Sequence, residues 1–223
     1  MTDWWGVVNS NLVGLIISAF LGVFLASFIQ WYLNRQNRRA QTLSLANLFG
    51  GEIYSIQRLT ANFMRMTAES LRQFKAALDK GDVAVITIAD FDPPRTIYDR
   101  PSIDLGLFSG DLPSIISELY RRVAYAKYFR ERANQFSSDL GIMMKNLELI
   151  GDKKERGAEL MRIRYAENNF LEAGNSYFLN LKDANKFCDM ALDRLKKVHG
   201  FATPITAETI ESATQVETSN RTN

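Results

Sequence analysis

The chain has 223 residues, with 27 basic and 25 acidic side chains; a net charge of +2 lacks the basic excess of a nucleic-acid binder, so no nucleic acid is expected as a partner. The single cysteine, Cys188, excludes an intrachain disulfide and agrees with a reducing cytoplasmic location. The length accommodates one folded domain besides an anchor and a tail.

Residues 12–33 read LVGLIISAFLGVFLASFIQWYL and carry no charge. At about 1.5 Å per residue such a helix covers roughly 33 Å, against a hydrocarbon thickness of about 30 Å, which predicts a transmembrane helix. The N-terminus has no Lys or Arg, and the apolar run is too long for a cleaved secretory signal. Arg35, Arg38 and Arg39 follow directly. Basic flanks stay on the cytoplasmic side, so residues 1–11 are expected outside and residues 34–223 inside. Trp4, Trp5, Trp31 and Tyr32 fall where amphipathic rings settle at the two interfaces. Gly14, Ser18, Gly22 and Ala26 recur at i, i+4 and define a small-residue face suited to helix packing in the membrane.

Beyond the span the pattern stays helical. Leu45, Phe49, Ile53, Ile56, Leu59, Phe63, Met66, Phe74 and Leu78 step by three and four, and no Pro or Gly separates Tyr32 from Phe49. The span is therefore expected to run on into the first bundle helix, with Gly50 and Gly51 marking either a kink or a close approach. Residues 79–111 contain Pro93, Pro94, Pro101, Gly106 and Gly110 among Asp90, Asp92, Asp99 and Asp104, the composition of a connector. Within it, residues 83–89 (VAVITIA) suggest a short extended segment with an edge open to strand addition, the frayed end of the helix, or an apolar cover over the bundle. The acids suit turns and caps rather than an EF-hand. Asp111 before Leu112 and Pro113 predicts a capped helix start. Leu112, Ile116, Leu119, Val123, Ala126, Ala133, Phe136, Leu140, Met144 and Leu147 then keep a 3.5-residue repeat. After Gly151 and Asp152 the repeat resumes through Leu160, Ile163, Phe170, Tyr177, Leu181, Ala184, Cys188, Ala191, Leu195 and Val198, with Glu167 and Gly174 at the two missing positions. Lys196, Lys197 and His199 complement the helix end, which Gly200 closes. Residues 202–223 are too polar to bury a core and predict a disordered tail.

The fold expected is all-α: an N-terminal transmembrane helix continuous with a cytoplasmic antiparallel three-helix bundle of long, coiled-coil-like helices over residues 34–201. With the connector at the far end, the Gly151 turn would return to the bilayer. Lys153, Lys154 and Arg156 would then join Arg35, Arg38 and Arg39 in a basic collar at the lipid headgroups. The sequence has no phosphate loop, dinucleotide turn, zincin helix or nucleophile elbow. Its one histidine sits at a helix end, and Cys188 falls on a core position, so neither catalysis nor a metal or other cofactor is expected. Tyr120, Tyr125, Tyr128 and Phe129, beside Arg121, Arg122, Lys127 and Arg130, read as part core and part solvated face.

Three short segments carry a resemblance. Gly51-Glu52-Ile53 in a helix, Thr96-Ile97-Tyr98-Asp99 with Leu105-Gly106-Leu107, and Ile116 with Leu119-Tyr120 behind an N-terminal span together resemble a broad group of uncharacterised bacterial single-pass inner-membrane proteins with a cytoplasmic helical domain. The resemblance covers about residues 10 to 135 and implies a bacterial inner-membrane location, with no activity or site attached. The function expected from the chain is that of a membrane-anchored interaction or scaffold protein, homo-oligomeric and with a further protein partner. The competing expectation is an effector of the phage-exclusion or defence type that alters the bilayer.

Overall fold

A computed structural model describes residues 4–100 and 104–201, with side chains described from Leu15 onward. The predicted tail lies outside the described residues. The element order is α1 (Trp4–Asp79), a short 3-10 turn (Leu105–Leu107), α2 (Leu112–Leu149) and α3 (Lys153–His199), with no strand among the described residues. The protein is all-α, and the apolar segment and the first bundle helix are one continuous helix of 76 residues. By compactness the chain divides into residues 1–45 and residues 46–223.

In the first unit every described side chain from 15 to 41 is exposed. Leu15 and Phe20 are 70% and 75% exposed. A helix uncharged along 15–33 and apolar on all sides belongs in an apolar solvent, and α1 is long and apolar enough to cross a membrane. Two of its polar side chains bond within the helix. The Ser18 hydroxyl donates to the Leu15 carbonyl at 2.9 Å and the Gln36 amide donates to the Tyr32 hydroxyl at 2.7 Å. The Arg35 guanidinium lies 5.4 Å from the centre of the Trp31 ring.

In the second unit burial on α1 begins at Ala46 and continues through Phe49, Glu52, Ile53, Ile56, Thr60, Thr67 and Phe74. The helix stops where Gly81, at φ +78, lets the chain turn. The Gly81 N–H donates to Leu78 and the Asp82 N–H reaches back to Ala77, the doubly bonded helix end that favours glycine. The connector then runs back along the bundle as an extended strap. Val85 lies against Gly141, Ile88 meets Asn134, Asp90 pairs with Arg130 and Asp92 with Lys127, so rising strap numbers meet falling α2 numbers. The strap buries Ile88, Phe91, Pro93 and Ile97; of the alternatives open to residues 83–89, the apolar cover is the one realised, through Ile88. Without a neighbouring strand its main chain still needs partners, and the Asn134 amide supplies two: the Ile88 N–H donates to Oδ1 at 2.8 Å, and Nδ2 donates to the Ile88 carbonyl at 3.0 Å.

Helix α3 runs antiparallel to both other helices. Against α1, Phe201 meets Gly50, Asn185 meets Thr60, Leu71 meets Gly174, and the Phe74 ring meets that of Phe170, tilted at 42° with 4.3 Å between centres. Against α2, Asp183 pairs with Arg122 at 3.1 Å and Arg194 with Asp111 at 3.0 Å.

Within the second unit the path of the chain sets where the Gly151 turn lies. Because the strap returns the chain, α2 starts at the Ala46 end of the bundle, and the Gly151 turn lies at the opposite end, beyond Asp79. Lys153, Lys154 and Arg156 sit in the exposed first turn of α3 at that end, away from Ala46. Asp152 caps this helix as expected, accepting from the Lys154 and Glu155 N–H groups at 2.8 and 2.9 Å. Asp111 does not cap α2. Its backbone is already helical and its carboxylate turns to Arg194. Most heptad positions of α2 and α3 form the core; Phe136, Met144, Leu147 and Glu167 are half-buried, and Leu160 and Val198 near the ends of α3 are 45% and 52% exposed, while on α1 Met66 is 42% exposed and Thr67 is buried.

Candidate functional site

Two places in the molecule gather the residues that the sequence singles out. The first is the small-residue face of α1. Ser18, Gly22 and Ala26 are exposed, and a Cβ built on Gly22 meets nothing within 4 Å. Gly14 lies in the helix, but its surroundings are outside the described side chains, as are those of Trp4 and Trp5. Arg35, Arg38 and Arg39 follow on the same helix and are exposed.

The second place is buried. Glu52 is 7% exposed and accepts the Ile97 N–H at 2.7 Å, the Tyr98 N–H at 3.4 Å and the Tyr120 hydroxyl. An ionised carboxylate is costly to bury unless several donors reach it, and hydrogen bonds to a charged acceptor are about twice as strong as neutral ones. The three donors come from the strap and α2, so one side chain of α1 holds the other two segments. Tyr98 lies flat on Tyr120, at 4.0 Å between centres and 14° between planes. Arg95 is 5.9 Å from the centre of the Tyr98 ring and pairs with Asp99 at 3.0 Å. Burial and the Glu52 carboxylate push the Tyr120 phenol well above its ordinary range, so it stays protonated and donates a hydrogen bond to Glu52.

The residues at this junction are those of the three short segments in the sequence resemblance: Glu52, Ile97, Tyr98 and Tyr120. Read one at a time they are permissive motifs. Folded, they are one polar cluster. Sequence reasoning placed Ile53 in the core and passed over its neighbour, although a glutamate between Phe49 and Ile56 on a core-facing stripe was the available signal.

The remaining candidates have structural occupations. Asp90 and Asp92 pair with Arg130 and Lys127, Asp99 with Arg95, and Asp104 caps the 3-10 turn by accepting the Gly106 N–H at 2.9 Å. No group of three metal-ligating side chains occurs among the described residues. Cys188 is fully buried, and desolvation pushes its thiol up, away from the reactive thiolate. Tyr120 faces the core while Tyr125 and Tyr128 stay exposed, the division expected of that aromatic run.

His199 packs on Phe108 at 5.1 Å between ring centres, and its Nε2 is buried with no hydrogen-bond partner. Burial holds its pKa below 6.5, so at neutral pH it does not supply the cation expected at the α3 terminus; Lys196 and Lys197 do. The unfolded chain therefore takes up a proton before the folded one. Stability present above pH 6.5 is lost as pH falls through that value toward the lowered folded pKa. The thermal midpoint of the full chain should fall between pH 7.5 and 5.5, and His199→Phe should flatten that part of the profile. Parallel profiles for the two proteins would remove His199 from the account.

These features define a helical protein with, among the described residues, one helix long and apolar enough to cross a membrane, and a bundle in which a buried carboxylate joins three segments. No family model, no curated protein and no solved structure matches the chain.

Proposed function

We propose that the chain is a membrane-anchored interaction or scaffold protein that self-associates, with its N-terminus outside a bacterial inner membrane and its bundle in the cytoplasm. One observation carries this reading: a helix uncharged and exposed on every side over 15–33 continues, without a break, into a tightly packed bundle. An apolar surface of that size has no place in water. Arg35, Arg38 and Arg39 support the orientation by their number and position. The open face at Ser18, Gly22 and Ala26 supports close packing of one span on another.

Replacing Gly22 by Leu should fill that face and lower the dimer fraction of the full chain in detergent about tenfold, read by light scattering at fixed protein-to-micelle ratio. The membrane fraction after carbonate washing should be unchanged. A wild-type chain that is monomeric throughout, or a variant that dimerises equally well, would overturn the role of the span.

A further inference from the structure

Helix α2 carries a second stripe besides the one in the core. Its four exposed large apolar side chains, Tyr125, Tyr128, Ile142 and Leu149, are 45%, 51%, 57% and 85% exposed. All four fall on one 3.5-residue repeat, whose remaining positions are Arg132, Gln135, Asp139 and Asn146. A solvated face has no reason to keep this period for about 36 Å; a helix that meets another helix does. In heptad terms Tyr125, Arg132, Asp139 and Asn146 hold the a positions, and Tyr128, Gln135, Ile142 and Leu149 the d positions.

The shape and charge of the stripe indicate what covers it. In paired parallel helices a side chain at a enters a hole made by the d, g, a and d residues of the facing helix. Tyr128, Glu131, Arg132 and Gln135 hold four such positions, and with Phe136 they line a groove on α2. Glu131 gives this hole a negative side, and its ion partner Arg130 stays 3.6 Å away. A cation suits the hole, and the same helix offers one. Arg132 lies 3.0 Å from its own Tyr128 hydroxyl and 5.6 Å from the Phe136 ring, and forms no ion pair among the described residues. A two-fold axis along α2 sets Arg132 of each copy beside Glu131 of the other, once on each side of the axis, as an isologous contact requires. The two guanidinium groups thus leave the axis in opposite directions, each toward a carboxylate. Asp139 then meets the Gln135 amide and Ser138 hydroxyl of the facing helix, and Asn146 meets Asn146, a polar a-position pair of the kind that fixes register. Such an axis keeps both bundles the same way up, so two anchored chains enter one membrane from the same side; an antiparallel pair would invert one of them.

We infer that the outer face of α2 is an interface with a second copy of this chain, packed parallel and in register about an axis along the helix. The inference rests on the self-association proposed above and gives the bundle a contact of its own. Chains held in one membrane meet at a raised effective concentration, so this contact need not be strong alone.

Full-length chains with one introduced cysteine test it by disulfide formation under mild oxidation, which traps a contact too weak to hold a dimer by itself; the native Cys188 is buried and out of reach. Ile142→Cys should give at least fivefold more disulfide dimer than Glu148→Cys, whose position is exposed but off the stripe. In Ile142→Cys chains, Arg132→Glu should lower the yield about fivefold, and so should Glu131→Arg, because each sets like charges together. Differently tagged and co-expressed, the Arg132→Glu chain and the Glu131→Arg chain should form their mixed dimer at the parent yield, since both cross-chain pairs are again opposite in sign. Equal yields at positions 142 and 148 would overturn the contact, and so would indifference to charge reversal. A mixed product between Tyr128→Cys and Ile142→Cys chains stronger than that of Ile142→Cys alone would overturn the parallel register. If chains with the Gly22→Leu span still give the Ile142→Cys product, the bundle contact stands whatever the span does. If span dimers form without that product, the bundle contact falls and the span reading survives.

Discussion

Replacing Glu52 by Ala should destabilise the protein by about 3 kcal/mol or more, because each buried donor left without a partner costs about 1–3 kcal/mol. Three donors depend on this carboxylate: the Ile97 and Tyr98 N–H groups and the Tyr120 hydroxyl. For a chain of this size the thermal midpoint should drop roughly 6–12 °C, read by circular dichroism of the full chain in detergent. Loss of the carboxylate should also free the strap, so limited proteolysis within 83–100 should accelerate more than cleavage within α2 or α3. Tyr120→Phe removes one donor rather than the acceptor for all three and should cost about 1 kcal/mol. A midpoint shift for Glu52→Ala within 1 °C of wild type would show that the strap is held elsewhere, through Asn134 and the Asp90 and Asp92 pairs.

Adjacent glycines should respond in opposite directions. A Cβ added at Gly50 would sit within the Phe201 ring, whereas one added at Gly51 meets nothing within 4 Å. Both lie inside α1, where exchanging Gly for Ala gains about 1 kcal/mol of helix propensity. Gly51→Ala should therefore stabilise by about that amount. Gly50→Ala must expel Phe201, which is 6% exposed and contributes about 2–3 kcal/mol by burial, so its net effect should be a loss of about 1–2 kcal/mol. A double-mutant cycle isolates the cause: in a Phe201→Ala chain, Gly50→Ala should become stabilising as well. Two shifts of the same sign in the parent chain would mean that Phe201 does not seat on Gly50. Of the two roles open to this glycine pair, close approach is the one realised at Gly50, and the helix passes both positions unbroken.

Much of the architecture was legible because its causes are local and periodic. The apolar run over 12–33, the 3.5-residue repeats of α2 and α3, the Asp152 cap and the Gly200 end each depend on residues within a few turns, and each is found where the periodicity put it. The buried polar residues of α1 were not legible in the same way. Glu52 is acceptable in a core only because its partners, Ile97, Tyr98 and Tyr120, arrive from 45 to 68 residues away, whereas Thr60 donates locally to the Gln57 carbonyl and also meets Asn185 from 125 residues away. Their spacing along the core stripe was visible; what would satisfy them was not.

The direction of α2 was the main error, and its reason is a matter of reach. A connector of about 30 residues can fold at one end of a bundle or, at roughly 3.3 Å per extended residue, run back along its whole length. Composition rich in Pro, Gly and Asp is compatible with both. The choice depends on Ile88, Phe91, Pro93 and Ile97 finding burial against α1 and α2, and on Asn134 and Glu52 accepting or donating to main chain that has no strand partner.

The sequence by itself determined an all-helical chain, a helix apolar enough to cross a membrane, and which faces of the other two helices are buried, because hydrophobic period and charge are properties of neighbouring residues. Only the tertiary structure decided that the connector is a strap, that the Gly151 turn and its basic residues lie at the end of the bundle away from Ala46, and that three unremarkable segments meet at one carboxylate. Those outcomes depend on contacts between residues far apart in the chain, which local patterns do not encode.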